Sequence, residues 1–168
     1  MTSGMRLALA MSSALGLGLA STGASAATAT SNFTVQVTIA ASCTVVSAAQ
    51  LNFGGSVGVL TANLDVSTTL QVQCTNTTAY NVGLDKGANG ASVTSRLMKG
   101  GPSNETIAYS LYRDSARTLN WGVTIGTDTQ AGTGNGAAQT YTVYGRIGQQ
   151  NTPTPGLYTD TITITVTY

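Results

Sequence analysis

Residues 27–43 run ATATSNFTVQVTIAASC, and residues 158–168 run YTDTITITVTY. In the first, Phe33, Val35, Val37 and Ile39 alternate with Thr34, Gln36 and Thr38; in the second, Ile162, Ile164 and Val166 alternate with Thr163, Thr165 and Thr167. Side chains of a β-strand point to opposite faces in turn, so each stretch presents one apolar and one hydroxyl-rich face. These two strands bracket a chain that shows the same period elsewhere. Leu70, Val72 and Cys74 share a face in VSTTLQVQCT, as do Tyr80, Val82 and Leu84 in AYNVGLD. SRLMKGG, IAYSLYRD and TYTVYGRIG add three more short runs, separated by turn residues such as Asp85–Gly90 and Gly100-Gly101-Pro102. A further short strand is expected in CTVVSAAQLNFGG, and a long polar loop at Asp128–Gly136. No stretch holds a 3.6-residue apolar period over three turns, so the expectation is an all-β antiparallel sandwich.

Composition supports strands. Only 8% of the 168 residues are charged, against about 25% in ordinary soluble domains. Threonine takes much of that place, and its β-branched side chain suits a pleated, half-exposed surface. Few charges also remove one device that keeps exposed strand edges from pairing with other chains.

The first 26 residues carry Arg6, an apolar run from Leu7 to Ala20, and an Ala24-Ser25-Ala26 ending. That is the pattern of a secretory signal peptide cleaved before Ala27. The run of roughly 14 residues falls short of the ~20 a membrane-spanning helix needs, so membrane insertion of the mature chain is not expected. Losing Arg6 leaves six of the seven basic residues against six acids, a net charge of zero. Balanced, scattered charges offer no stripe to neutralise phosphates, which argues against nucleic acid as a partner.

Cys43 and Cys74 are an even pair in an exported chain, which reads as a disulfide joining the strands that hold them. With no histidine and no CxxC spacing, neither a metal site nor a redox pair is expected. No cofactor is implied. The GTGNG run at Gly132–Gly136 does not open a helix and so is not read as a phosphate cradle. No acid–base pair or activated nucleophile is visible, and an enzyme is not expected. A carbohydrate-binding surface module, using Trp121 and the Asp128–Gly136 loop, is the rival reading.

Taken in order, the alternating strand before Cys43, LNFG at Leu51–Gly54, Cys74, AYSLYRDSARTLNWG at Ala108–Gly122 and GLYTDTITITVTY at Gly156–Tyr168 resemble the spore coat protein U family. That family includes subunits of archaic chaperone-usher pili. The resemblance implies an incomplete immunoglobulin-like sandwich that lacks its last strand and is completed by one from another subunit. It divides the chain into a leader (1–26), a donor-strand segment (27–41) and the sandwich (42–168). Phe33, Val35, Val37 and Ile39 would be the donor side chains, and Ile162, Ile164 and Val166 would border the acceptor groove. The implied partners are a periplasmic chaperone, an outer-membrane usher and neighbouring subunits in a head-to-tail polymer. The implied route runs through the periplasm to the cell surface, for adhesion or biofilm formation; an outer-layer or spore-coat role is the alternative within the family.

Overall fold

The computed structural model describes Gly23 and residues 25–55 and 57–168. The expected leader lies outside the described residues, apart from Gly23, Ser25 and Ala26. The chain divides into two units, with the boundary between Val37 and Thr38. In the first, residues 25–37 form no hydrogen-bonded strand.

Among its described residues the second unit holds nine strands: β1 (Cys43–Ala48), β2 (Leu64–Cys74), β3 (Ala79–Leu84), β4 (Arg96–Gly100), β5 (Glu105–Tyr112), β6 (Gln130–Thr133), β7 (Ala138–Ile147), β8 (Tyr158–Thr159) and β9 (Ile164–Thr167). They form a six-stranded sheet in the order β1-β2-β7-β5-β4-β8 and a three-stranded sheet in the order β6-β3-β9. Every pairing between these strands is antiparallel. The described residues are all-β and contain no helix, so none could cross a membrane as one.

Alternation turns into a core because each strand faces its apolar residues the same way. Leu70, Val72 and Cys74 of β2, Val143 and Ile147 of β7, and Tyr109 and Leu111 of β5 are buried from the larger sheet. Tyr80, Val82 and Leu84 of β3 meet them from the smaller one, with Trp121 fully enclosed. The seam of the large sheet is the β2–β7 ladder, running without a break from Leu64–Ile147 to Gln73–Ala138.

Two expectations change. The polar stretch Asp128–Gly136 contains β6, paired with β3 from Ala79–Thr133 to Val82–Gln130. Gly132 sits so close to the Tyr80 and Tyr141 rings that a Cβ would collide with them, which explains a glycine inside a strand. The closing stretch YTDTITITVTY is also not one strand. β8 pairs with β4 in the large sheet, whereas β9 pairs with β3 in the small one, and residues 160–163 cross between the sheets.

Arg96 is one of the scattered charges of the sequence, yet it has no exposed area. Its guanidinium donates to the carbonyls of Asp85 (2.8 Å), Val93 (2.7 Å), Leu84 (2.9 Å) and Trp121 (2.7 Å). Burial pulls its pKa down, with Tyr109 and Asp85 opposing. The four carbonyls satisfy a group whose desolvation would otherwise be costly. Cys43 and Cys74 lie directly opposite each other in the β1–β2 ladder and are joined by a disulfide.

Candidate functional site: an open apolar groove beside the last strand

Among the described residues β9 has a strand partner on one side only. Asp85 N–H donates to the Thr163 carbonyl (3.1 Å) and Ala88 N–H to the Thr161 carbonyl (3.2 Å), while Thr165 stands opposite Gly83. Leu84, opposite Ile164, instead sends its N–H to the Gly122 carbonyl (3.0 Å). In an antiparallel pair the residues whose N–H and C=O face the partner alternate with those facing away. The odd-numbered residues therefore face β3, and the backbone groups of Ile162, Ile164 and Val166 face the free edge. Their side chains turn inward and are half-buried, while Thr161, Thr163 and Thr165 are exposed.

Along that free edge runs an open cavity of about 340 Å³. Its walls come from two places that sequence periodicity does not connect. One is the crossover into β9, from Tyr158 to Ile162, continuing to Ile164; the other is Ala48–Leu51 and Phe53, the segment that follows β1. The floor is made by Leu70, Leu84, Met98, Tyr109, Leu111 and Val143. Gly145 of β7 lies beneath Leu51 and Phe53, where a Cβ would meet the Phe53 ring at 3.0 Å, so the absence of a side chain lets that segment lie close to the sheet. Phe53 and Tyr109 meet edge to face with centroids 6.4 Å apart.

The groove margin is also pinned by carboxylates. Asp85 accepts from Gly87 N–H and Thr163 N–H, both at 2.9 Å. Burial pushes its pKa up, but those two N–H groups, with the Thr163 side chain and the Arg96 charge, together hold the carboxyl below the usual range. Asp160 accepts from the Tyr109 hydroxyl at 2.7 Å. Burial and that hydrogen bond push the Tyr109 pKa well up, so the phenol stays a donor.

Of the three expected groove residues, Ile162 and Ile164 line the cavity, and Val166 lies further along β9 opposite Val82, packed against the core. Of the four expected donor residues, Phe33 (87% exposed), Val35 (83%) and Val37 (80%) belong to the first unit and Ile39 (76%) to the second; none is in a strand. Sequence reasoning missed Tyr109, Met98 and Asp160 as groove residues. LNFG and AYSLY marked the family stretches that supply Leu51, Phe53, Tyr109 and Leu111, but no local period says that they meet.

The rival sugar-binding surface loses its aromatic platform. Trp121 is enclosed and its indole N–H donates to the Val82 carbonyl at 2.9 Å. Asp128 accepts from Thr124 N–H, and the Asn135 side chain from Ala137 N–H. Among the described residues no group of three or more His, Cys, Asp or Glu is placed to hold a metal.

An antiparallel two-sheet body, cross-linked at its first strand and open beside its last, defines a class of all-β sandwich with a free strand edge. The particular family follows from comparison: residues 29–165 match the Spore Coat Protein U domain, and the chain belongs to that family. Protein U of Myxococcus xanthus is 37% identical over 79 residues, 46% of this chain and 43% of that protein. In fold the chain is similar to a chain of the CsuC–CsuE chaperone–tip adhesion subunit pre-assembly complex, from the archaic chaperone-usher Csu pili of Acinetobacter baumannii. The TM-score is 0.58 at 22% identity, covering 78% of this chain and 41% of that one. The matches thus span less than half the length of each of these relatives.

Proposed function

We propose that this chain is an exported structural subunit that polymerises by lending residues 27–41 to the groove of a neighbouring copy. A periplasmic chaperone fills the groove beforehand, an outer-membrane usher directs the exchange, and the product is a pilus at the cell surface serving adhesion or biofilm formation. The single observation that carries the reading is the free edge of β9. There the outward backbone groups of Ile162, Ile164 and Val166 have no partner among the described residues, and the first two border an apolar cavity, in a chain that also carries an exposed segment of matching alternation. A donated strand would satisfy the edge and fill the cavity together, which is the mode of recognition by strand addition that pilin donor-strand complementation exemplifies. Burying Phe33, Val35, Val37 and Ile39 at about 1.5–3 kcal/mol each would yield about 6–12 kcal/mol. That is comparable to the stability of a whole domain, ~5–15 kcal/mol. A head-to-tail contact of this kind need not close on itself and so builds a filament.

The mature chain, freed from its chaperone, is expected to run as a ladder of non-covalent multimers when unheated and to collapse to monomer on boiling. A wild-type chain that runs as monomer under both conditions rules the reading out. The family's description favours a second setting for the same contact, a coat layer around the cell. Mild shearing separates the two: filaments are released into the medium, whereas a coat layer stays with the cells.

A further inference from the structure

The groove has an apolar interior and one wall, residues 160–163, that belongs to neither sheet. Apolar walls with nothing between them gain by closing, because closure removes their surface from water. The crossover lacks a ladder partner on the groove side, and on the other side the Thr161 and Thr163 carbonyls accept from Ala88 and Asp85 N–H. Two carboxylates fix its position further. Oδ1 of Asp160 accepts from Ala88 N–H (2.9 Å), Asn89 N–H (3.3 Å) and the Asn89 side-chain amide (3.0 Å). Oδ2 accepts from the Tyr109 hydroxyl on the groove floor (2.7 Å). Three residues on, Thr163 N–H is held by Asp85. The 85–90 turn that receives both ties is shaped for them: Gly87 has φ of 79°, and a Cβ there would collide with the Asp160 carboxylate.

We propose that Asp160 is the positioning residue of the groove: by tying the crossover to the 85–90 turn and to Tyr109, it keeps the acceptor site open before a strand arrives. The inference rests on the reading that the groove receives a strand. Its role is pre-organisation. A receptor competent in only a fraction of molecules binds with its affinity reduced by that fraction, so a groove open about one-tenth of the time would bind about tenfold more weakly.

The test uses the full mature chain carrying Val37→Asp, which disables its own strand, and a fluorescent synthetic peptide of residues 27–41 as the probe. Anisotropy titration should show binding to this parent. Adding Asp160→Ala should weaken binding about tenfold or more. Asp160→Asn should restore it to within about twofold, because the amide oxygen can accept from the turn while its N–H donates to the Tyr109 oxygen. Asp114→Ala is the control. Asp114 likewise accepts backbone N–H groups, from Thr118 and Leu119, and is not among the groove residues, so its loss should lower the melting temperature without changing peptide affinity. Equal affinities for Asp160→Ala and its parent would overturn the proposal, as would an equal loss with Asp114→Ala. If the parent fails to bind the peptide, the strand-accepting reading falls. The clamp is then decided by amide hydrogen exchange over residues 160–168, which should accelerate in Asp160→Ala and not in Asp114→Ala; unchanged exchange overturns it.

Discussion

The stretches 33–39 and 162–167 carry nearly the same alternation of apolar and hydroxyl-bearing residues, yet they have opposite fates. In the later stretch Ile164 and Val166 lie opposite Leu84 and Val82 in a ladder and turn half-buried toward the core. In the earlier one Phe33, Val35 and Val37 stand at least 80% exposed and outside any ladder. The pattern therefore defines a face and leaves the partner open. What settles the partner for β9 is the neighbouring strand β3, whose own side chains and hydrogen bonds are already in place. The earlier stretch carries a similar face into solvent, where four large apolar side chains are a cost that burial would remove.

The widest separation between the two stretches comes from placing the same carboxylate in each. Val37→Asp should leave the melting temperature of the monomeric body within the ordinary scatter of surface substitutions, roughly ±0.5 kcal/mol, while the unheated multimer ladder disappears. Ile164→Asp should instead destabilise the body by roughly 2–4 kcal/mol in urea, because the new carboxylate must lie unpaired against the core or take up a proton. A full ladder from Val37→Asp would break the comparison at its root.

Next in size is the disulfide. Reduction frees a loop with a sequence separation of 31, and the chain-entropy account gives a loss of about 3.5 kcal/mol, within a range of about 2–5. Urea unfolding with and without reductant measures it, and mass spectrometry of the unreduced chain should show the two-hydrogen deficit of the bridge. A reduced body of unchanged stability would mean that the β1–β2 register alone holds Cys43 opposite Cys74.

The smallest effect concerns Asp85, which holds the entry to β9 and has no counterpart in the earlier stretch. Asp85→Asn should cost about 1–2 kcal/mol, the worth of hydrogen bonds to a charged acceptor less those the amide keeps. The folded carboxyl lies below its unfolded value, near ~3.9, so its contribution is complete above that value and fades as pH falls through the folded one. The wild-type unfolding midpoint should therefore fall more steeply below about pH 4 than that of Asp85→Asn. Parallel curves for the two proteins would remove the charge from the account.

The fold class was legible because β2, β5 and β7 write their burial as a period of two, as β3 does from Ala79 to Val82. β6 was hidden by its own packing: a strand pressed against Tyr80 and Tyr141 takes Gly132 there, and glycine reads as loop. The split of the last stretch was hidden because alternation continues through Asp160–Thr163 while the chain changes sheets. The burial of Arg96 was hidden because its partners are carbonyls, which leave no mark in a sequence. The groove edge at Ile162 and Ile164 followed from the family resemblance. Its floor did not, since Met98, Tyr109 and Val143 come together only through the order of strands.

The cross-link at Cys43 has a mechanical consequence. Only three residues, Ala40 to Ser42, separate Ile39 from it, so tension applied to the N-terminal segment enters the body at a covalent junction. The bridge passes that load to Cys74, at the end of the 11-residue strand β2, whose ladder with β7 spans nearly its whole length. Ladder hydrogen bonds lie perpendicular to the strands, so a pull along β2 strains them together in shear and does not peel them one by one. Tension on residues 33–39 is accordingly expected to load the long β2–β7 ladder as one unit, with the cross-link as its point of entry.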